Sequence, residues 1–391
     1  MGIRRSIHLL KTNQGEILKN LNVDEFDDRR VLPSLKSKIL GRGEVLEMFP
    51  SAPNVYFNAP EIDLDKYDIF LVFMSSGKDS LASLKYLLDR GVDRNKIELH
   101  HHLIDGAEGS NLMDWPFIES YTQKIAESLG IPLYMSWLKH GFEGEMLKHN
   151  SISHPHIIET PNNGLLELSR NRAKPGTRRK FPQVAASLQT RWCSSSLKVD
   201  VGRRVVTSQD RFINKNVLII TGERREESSM RSKYNQLEPH ISDTLRRSKK
   251  PVKPRLVDSW RPVLHLSEEA VWEILSDWGI IAPVPYRLGW SRSSCQTCIF
   301  NSDRIFSTIY YYWPERLLRI AEYEREFGVT ISRSGLNVLE RAKLAKPIEC
   351  DDVAALGQAM ETEYKLPVFL TNGEKWKLPK GAFGIESSGA S

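Results

Sequence analysis

Cysteine and long apolar runs are both scarce in this chain of 391 residues. Its four cysteines are too few for a secreted scaffold held together by disulfide bonds. No uninterrupted apolar stretch approaches the roughly 20 residues that a helix needs to cross a bilayer. The start of the chain also lacks the apolar core of a signal peptide. These absences predict a cytoplasmic protein without a membrane partner.

Neither sign of charge dominates the composition. Lysine plus arginine number 55 and aspartate plus glutamate 49, which gives a net charge of +6. With 40% hydrophobic residues, this composition excludes collagen, coiled coil and wholesale disorder. Two stretches are basic and contain no acid; their cations are Arg170, Arg172, Lys174, Arg178, Arg179 and Lys180, then Arg246, Arg247, Lys249, Lys250, Lys253 and Arg255. Basic clusters attract phosphate, on a nucleotide or on DNA or RNA, although solvated surface loops are the alternative interpretation.

Apolar strands and amphipathic helices alternate along the middle of the chain. The apolar run from Ile69 to Met74 is typical of a strand buried on both faces, and leucines then recur at helical spacing. Further strands are predicted over residues 97–104, 131–137 and 217–220, and Asp114 is predicted to cap a helix that ends at Gly130. This alternation predicts an α/β fold, a parallel twisted sheet with helices on both faces.

The remaining segments are assigned by composition. Residues 1–60 are predicted to form an N-terminal extension, residues 61–300 the main domain, and residues 301–379 a mainly helical C-terminal region. Residues 380–391 are rich in Gly and Ser and are predicted to be a flexible tail. Within the main domain, the polar stretch 141–189 is predicted to be an insertion or a lid.

A hydroxyl-rich loop separates the first predicted strand from the first predicted helix, and it reads Ser75-Ser76-Gly77-Lys78-Asp79-Ser80. Small residues let backbone N–H groups approach an anion, and the helix start adds a favourable dipole. The hydroxyls and Lys78 add donors and positive charge. The spacing excludes a Walker A loop. The loop therefore predicts a pyrophosphate site, with a capped tight turn as the alternative.

A second polar block follows the predicted strand 217–220. Gly222 permits a sharp exit from the strand, and Arg224 and Arg231 can then reach an anion over the edge of the sheet. Glu227 could hold one of these arginines in place, and ordinary surface ion pairs are the alternative. Ser267 looks like a helix cap with Glu268 in the first turn, so that later block is interpreted as structural.

These blocks resemble the PP-loop ATP pyrophosphatases, whose loop reads S-G-G-x-D-S, although Ser76 stands here where Gly is usual. Their order over roughly residues 65–300 is similar to the phosphoadenosine-phosphosulfate reductase family within that superfamily. The residues that match its G-x-R-x-x-E-S-x-x-R motif are Gly222, Arg224, Glu227, Ser228 and Arg231.

The resemblance implies an adenine nucleotide alpha hydrolase-like fold around five parallel strands. It implies ATP or an adenylyl sulfate nucleotide bound by Ser75, Ser76, Gly77 and Ser80 with Gly222, Glu227 and Ser228. It also implies that Asp79 assists Mg²⁺ and that Asp105 contacts the nucleotide.

Cys295 and Cys298 form a pair at metal-ligand spacing, while Cys193 and Cys350 are single. Four thiolates could hold a [4Fe–4S] cluster or zinc, and ordinary thiols are the alternative. Adenylyl-sulfate reductases carry a Cys-Cys pair before the C-x-x-C, whereas Ser194 follows Cys193 here. Cys350 is therefore a candidate for the missing ligand. Members resembling the DNA phosphorothioation protein DndC also combine this fold with a cluster.

The thiol-dependent reductases of the family end in E-C-G-[IL]-H, but Asp351 follows Cys350 in this chain. The expected function is therefore adenylation of a substrate with pyrophosphate release, for sulfur transfer or nucleic-acid modification, with a sulfur-donor protein as an expected partner. Lys78, Asp79, Arg224 and Arg231 are the predicted catalytic residues. The alternatives are a sulfite-releasing reductase of adenylyl or phosphoadenylyl sulfate, and a non-catalytic nucleotide- or nucleic-acid-binding regulator.

Overall fold

The structure is a computed structural model that describes residues 62–108, 111–171, 173–185 and 187–384. The predicted N-terminal extension lies outside the described residues, as does the part of the predicted tail from residue 385 onward. In the described part of the chain, no helix is both long and apolar enough to span a membrane.

One mixed sheet of eight strands organises the protein, in the order β5-β4-β3-β2-β1-β6-β8-β7. The strands are β1 (Ile69–Phe73), β2 (Ile97–His102), β3 (Leu133–Leu138), β4 (His156–Thr160), β5 (Gly164–Leu168), β6 (Asn216–Ile220), β7 (Leu237–Pro239) and β8 (Leu256–Trp260). The five central strands, from β3 to β8, pair in parallel, and the outer strands are antiparallel. The predicted α/β architecture with five central parallel strands is therefore confirmed.

Helices cover both faces of the sheet, as predicted. The α-helices of four or more residues in the described chain are α1 (Lys78–Asp89), α2 (Ile118–Leu129), α3 (Gly141–Met146), α4 (Asp200–Thr207), α5 (Glu268–Trp278), α6 (Val284–Arg287), α7 (Asp303–Tyr312), α8 (Pro314–Phe327), α9 (Val338–Ala342) and α10 (Val353–Gln358). Successive side chains of β1 point to opposite faces. Phe70 joins the larger core with Leu81 of α1, whereas Leu71 joins a second core with Val206 of α4.

One local prediction needs correction. Helix α2 begins at Ile118, and the Asp114 carboxylate accepts a hydrogen bond from the Trp115 N–H instead of capping that helix. The segment around Asp114 is held in a loop because Asp105 accepts hydrogen bonds from its backbone. The Ser267 cap on α5 is confirmed, since its hydroxyl accepts from Ala270.

The polar stretch 141–189 contributes to the sheet. Its strands β4 and β5 form an antiparallel hairpin, and β4 pairs with β3 at the edge of the parallel core. Here the structure differs from a pure loop or lid, because the short apolar segments in this stretch complete the edge of the sheet.

The helical C-terminal region packs against the main sheet. Arg316 of α8 donates hydrogen bonds to the carbonyls of Asn111 and Asp114, which lie in the loop after β2. The backbone N–H of Gly381 donates to the Tyr286 carbonyl at 2.8 Å. The first residues of the predicted flexible tail are therefore docked on α6.

Candidate phosphate-binding site

The site lies where the strand order reverses. From β1 the chain proceeds outward to β2 and β3 on one side and later returns through β6 to β8 on the other. The loops after β1 and β6 therefore open side by side at the carboxyl edge of the sheet. Ligands of open α/β sheets bind at such a switch point. The two blocks that the sequence singled out follow these two strands.

The loop after β1 is folded on itself through its serines. The Ser75 and Ser80 hydroxyls lie 3.2 Å apart, and the Ser80 hydroxyl donates to the Gly77 carbonyl at 3.0 Å. Ser76 adopts a left-handed φ of 57°, and its hydroxyl lies 2.6 Å from that of Thr122. A buried hydrogen bond thus stabilises a conformation that glycine adopts at lower cost.

Helix α1 starts at Lys78 without a side-chain cap, because Gly77 occupies the N-cap position. The hydroxyl of Tyr286 accepts a hydrogen bond from the Lys78 N–H at 3.3 Å. A Cβ at position 77 would lie 3.2 Å from Cβ of Ser293, so a larger residue would crowd the loop. The result is a helix N-terminus with a local positive field, lined by small residues.

Asp79 links the loop to the arginine block. Its Oδ1 accepts a hydrogen bond from Arg224 Nε at 2.5 Å, and its Oδ2 lies 3.2 Å from Lys78 Nζ. Although burial acts to raise it, the adjacent Lys78 and Arg224 hold the pKa of Asp79 down to about 2. The Arg224 side chain is itself only 3% exposed. Asp79 is therefore a half-buried carboxylate between two cations.

Glutamates hold the arginine block in shape. Glu226 accepts a hydrogen bond from Arg224 at 2.6 Å, and Glu227 accepts the Arg224 backbone N–H at 2.8 Å. Glu227 also pairs with Arg231 and, at 3.5 Å, with Arg292. Glu227 thus contacts the arginines of this block, as expected of a residue that holds an arginine in place. The Ser228 hydroxyl accepts the Arg231 N–H at 3.2 Å and thereby shapes the turn.

Gly222 is required by the close approach of the two loops. A Cβ built there would lie 2.7 Å from the Asp79 carbonyl carbon and 2.7 Å from the Ser80 nitrogen. Those contacts are shorter than Cβ atoms tolerate, and the opposing atoms are backbone. The absence of a side chain at Gly222 thus lets Arg224 reach Asp79.

Two residues of this site were missed by the sequence analysis. Glu268, interpreted as structural, places its Oε1 at 3.9 Å from Lys78 Nζ. Tyr286 contacts the loop twice, through its hydroxyl and through its ring, whose centroid lies 5.5 Å from that ammonium. Neither residue carries a local signal, because each reaches the loop from an element far along the chain.

Asp105 has a different environment from the one expected of a nucleotide ligand. Its Oδ2 accepts hydrogen bonds from the backbone N–H groups of Met113 and Asp114, at 2.9 and 2.8 Å. Its Oδ1 is buried and has no hydrogen-bond partner in the described residues. Burial, with a contribution from Asp114, raises the pKa of Asp105 to about 6. The structure places Asp105 as the organiser of the loop after β2.

Cys298 interacts electrostatically with both Cys193 and Cys295. Burial, with a smaller contribution from Cys298, raises the pKa of Cys193 to about 11. Burial and the nearby Asp114 carboxylate raise the pKa of the Cys295 thiol well above its usual range. Cys350 lies elsewhere, with its thiol against the carbonyls of Leu288 and Ile348. The structure does not bring Cys350 to the other thiols.

The cysteines and the phosphate loop differ in how many of the ligands required by a metal ion they supply. Among the described residues, no group of three or more His, Cys, Asp or Glu side chains is arranged to ligate a metal ion. A four-thiolate centre is therefore not assembled in this arrangement. Mg²⁺ needs less, since it is commonly held by one or two carboxylates together with the phosphates of the substrate. The Asp79 carboxylate beside the phosphate loop fits that requirement.

The two basic clusters are not equivalent in space. In the first, Arg178 pairs with Glu145 and Arg179 with Glu326, so acids from elsewhere neutralise part of it. In the second, ion pairs engage Arg246 and Lys253. Arg255 of that cluster is buried against backbone carbonyls.

The remaining described cations of the second cluster are exposed, and they are Arg247, Lys249 and Lys250. They lie in the loop before β8, at the amino edge of the sheet, whereas the phosphate loop lies at the carboxyl edge.

No protein-family model matches this chain. It is similar to an uncharacterized 37.8 kDa protein in the gpa 5' region of Escherichia phage 186, with 26% identity over 276 residues, which cover 66% of this chain and 75% of that protein. Among solved structures, FMN adenylyltransferase of Candida glabrata in complex with FAD and inorganic pyrophosphate covers 88% of this chain and 85% of its own, at 10% identity and a TM-score of 0.29. Neither likeness assigns the chain to a family.

Proposed function

We propose that this protein binds ATP, or a related adenylyl nucleotide, with its terminal phosphates in the loop from Ser75 to Ser80. The contact between Asp79 and Arg224 carries the proposal, because it joins the phosphate loop to the arginine block at the switch point of the sheet. Small residues, an uncapped helix N-terminus and a buried lysine converge at the same place.

The proposed reaction is adenylation of an acceptor with release of pyrophosphate. An acceptor oxygen attacks the α-phosphorus, the bond to the β-phosphate breaks, and pyrophosphate leaves. Lys78, Arg224 and Arg231 stabilise the charge that develops on the leaving group, and the loop backbone orients the phosphates. Mg²⁺, held by Asp79 and the phosphates, would supply further charge neutralisation.

Binding and turnover of ATP test this proposal directly. Calorimetry with MgATP should give saturable binding to the full chain, and Asp79→Ala should abolish release of pyrophosphate. Arg224→Ala should weaken nucleotide binding at least tenfold, because it removes one of the buried cations of the site. Absence of MgATP binding by the wild-type protein would rule out the proposal. Sulfite release from adenylyl sulfate with a thiol donor would favour the reductase alternative.

A nucleic-acid acceptor is proposed for the exposed cations at the amino edge. Arg247, Lys249 and Lys250 form no ion pair with another described residue, so their charge is available to a phosphate backbone. Neutralising two of them, Lys249 and Lys250, with glutamine should weaken DNA or RNA binding and reduce its salt dependence. The matched control neutralises Lys174 and Lys180, which are exposed cations of the first cluster. Equal losses in both variants would contradict a specific role for this loop.

The cysteines support a second proposal, a metal or cluster centre at Cys193, Cys295 and Cys298. The supporting observation is that Cys298 interacts electrostatically with both Cys193 and Cys295. Anaerobic purification followed by iron, sulfide and zinc analysis tests this centre, and Cys298→Ser should lower the metal content. The matched control is Cys350→Ser, which should leave the metal content unchanged. Metal-free protein after anaerobic purification would rule the centre out. A sulfur-donor protein remains a prediction tied to this centre.

A further inference from the structure

Glu268 occupies an unusual position for a residue in the first turn of a helix. Its Oε1 accepts a hydrogen bond from Trp272 Nε1 at 3.1 Å, which is the expected contact along one face of α5. The same oxygen accepts the backbone N–H of Phe383 at 3.2 Å and lies 3.9 Å from Lys78 Nζ. Two donors fixed by the fold thus orient this carboxylate toward the lysine of the phosphate loop.

The start of α5 is itself tied to the arginine block. The backbone N–H of Glu268 donates to Glu226 Oε2 at 2.9 Å, and that oxygen also accepts the hydrogen bond from Arg224. The carboxylate of Glu226 therefore stabilises the helix N-terminus and holds an arginine of the site at the same time. Glu268 is positioned by contacts with the arginine block, with its own helix and with the C-terminal segment.

Two carboxylates, those of Asp79 and Glu268, lie within 4 Å of the Lys78 ammonium. Lys78 is 3% exposed, and its nearer carboxylate, Asp79, is the group proposed to engage Mg²⁺. When the Asp79 carboxylate turns to the metal, Glu268 is the remaining described carboxylate within 4 Å of the ammonium. The lysine ammonium sits on a flexible four-carbon stem, so a fixed carboxylate beside it restricts its orientation.

We infer that Glu268 is a positioning residue that holds the Lys78 ammonium against the bound phosphates, with Trp272 and Phe383 fixing its carboxylate. The inference rests on the proposed nucleotide function. It assigns a role to a residue whose sequence context indicates only a helix start. Glu268 does not touch the nucleotide, and its effect passes through Lys78.

The direction in which Glu268→Gln changes MgATP affinity distinguishes a positioning role from a purely electrostatic one. Glu268→Gln keeps an oxygen that can accept from Trp272 and Phe383 but removes the charge next to Lys78. Simple charge repulsion predicts that losing a negative charge tightens MgATP binding. A positioning role predicts weaker binding, by roughly three- to tenfold, because the ammonium is no longer held in place. Glu268→Asp keeps the charge but shortens the side chain, and it should weaken binding in the same direction.

The experiment is a double-mutant cycle measured by calorimetry with MgATP on the full-length chain. Lys78→Ala, Glu268→Gln and the double variant are compared, with Glu269→Gln as the matched control, since Glu269 is the exposed neighbour in the same turn. We expect the double variant to bind within twofold of Lys78→Ala, because Glu268 acts only through the lysine. The control should bind within twofold of wild type.

The possible results distinguish failure of the inference about Glu268 from failure of the proposed nucleotide function. Tighter or unchanged binding by Glu268→Gln overturns the inference while leaving the proposed function in place. Additive losses in the double variant do the same, since they show that Glu268 acts independently of Lys78. Wild-type protein that fails to bind MgATP overturns the proposed function and the inference together. Far-ultraviolet circular dichroism of each variant separates loss of binding from loss of fold.

Discussion

Asp79 Oδ1 accepts a hydrogen bond from Arg224 Nε at 2.5 Å, across 145 positions of sequence. The contact lies in a site where the described residues supply as many carboxylates as cations. The cations are Lys78, Arg224, Arg231 and Arg292, and the carboxylates are Asp79, Glu226, Glu227 and Glu268. Without ligand, each positive group therefore already has a negative partner. A polyphosphate must compete with these carboxylates, and a divalent cation would favour the exchange.

Removing the charge of Asp79 should reduce the dependence of nucleotide binding on Mg²⁺. Asp79→Asn keeps an acceptor for Arg224 but leaves the site with one net positive charge. We expect the ratio of ATP dissociation constants without and with Mg²⁺ to fall at least tenfold. Calorimetry in EDTA and in excess Mg²⁺ measures this ratio. Asp89→Asn, an exposed position on the same helix, is the control. An unchanged ratio would show that Asp79 does not assist the metal.

A methyl group at Gly222 should separate the two loops of the site. The Cβ of Gly222→Ala would lie 2.7 Å from backbone atoms of Asp79 and Ser80, so one loop must shift. We expect a loss of about 1–3 kcal/mol in the free energy of unfolding, together with loss of MgATP binding. Chemical denaturation and calorimetry measure the two effects. Gly357→Ala on α10 meets nothing within 4 Å, and it should be neutral or stabilising by up to about 1 kcal/mol.

Glycine at position 76 should be tolerated, whereas valine should not. Ser76→Gly relieves the cost of a φ of 57° but loses the hydrogen bond to Thr122 and gains chain entropy when unfolded. These effects nearly cancel, so we expect a change of about 1 kcal/mol or less and unchanged MgATP affinity. Ser76→Val should lose at least about 2 kcal/mol and MgATP binding, because β-branched residues rarely adopt this φ. A valine variant as stable as wild type would refute the left-handed loop.

Stability should fall as pH rises through the range in which buried Asp105 ionises. Burial raises its folded pKa to about 6, above the ordinary value of 3.8, so the folded protein binds this proton more tightly than the unfolded chain. The Asp105 contribution to stability is therefore greatest below about pH 4 and is lost as pH rises toward 6. Asp105→Asn cannot ionise, so its stability relative to wild type should rise by about 1–3 kcal/mol between pH 4 and pH 7.

Thermal unfolding of wild type and Asp105→Asn across that pH range checks this prediction. Asp65→Asn, at an exposed position, is the control. A constant difference between Asp105→Asn and wild type would contradict the raised pKa. Nucleotide binding by the same variant tests the implication that Asp105 contacts the ligand; the observed geometry favours unchanged affinity.

Local pattern was sufficient for the core of the fold and for the phosphate loop. The apolar run at Ile69–Phe73 and the alternation of strands and helices predicted the parallel sheet, since burial on both faces demands continuous apolar strands. The small residues of the loop predicted its position between strand and helix. The cap at Ser267 was predicted because its hydroxyl acts within one helical turn.

Local pattern misassigned residues whose partners lie outside their own segment of the chain. Asp114 looks like a cap, but its loop is organised by the buried Asp105. The two basic clusters look alike in sequence, yet acids from distant segments neutralise Arg178 and Arg179 while Lys249 and Lys250 stay exposed. Because ion pairs with residues elsewhere in the fold neutralise some of these cations, the density of charge along the sequence does not determine the surface charge that a binding partner encounters.

The sequence alone determined which residues could bind a polyphosphate, because hydroxyls, small residues and cations are chemical properties of each position. Only the tertiary structure decided which of them meet. The parallel pairing of β1 with β6 brings Asp79 to Arg224, and the packing of α5 and α6 brings Glu268 and Tyr286 to Lys78. The same folding leaves Cys350 away from the other thiols. Strand order and helix packing arise from the burial of whole faces, which local periodicity does not specify.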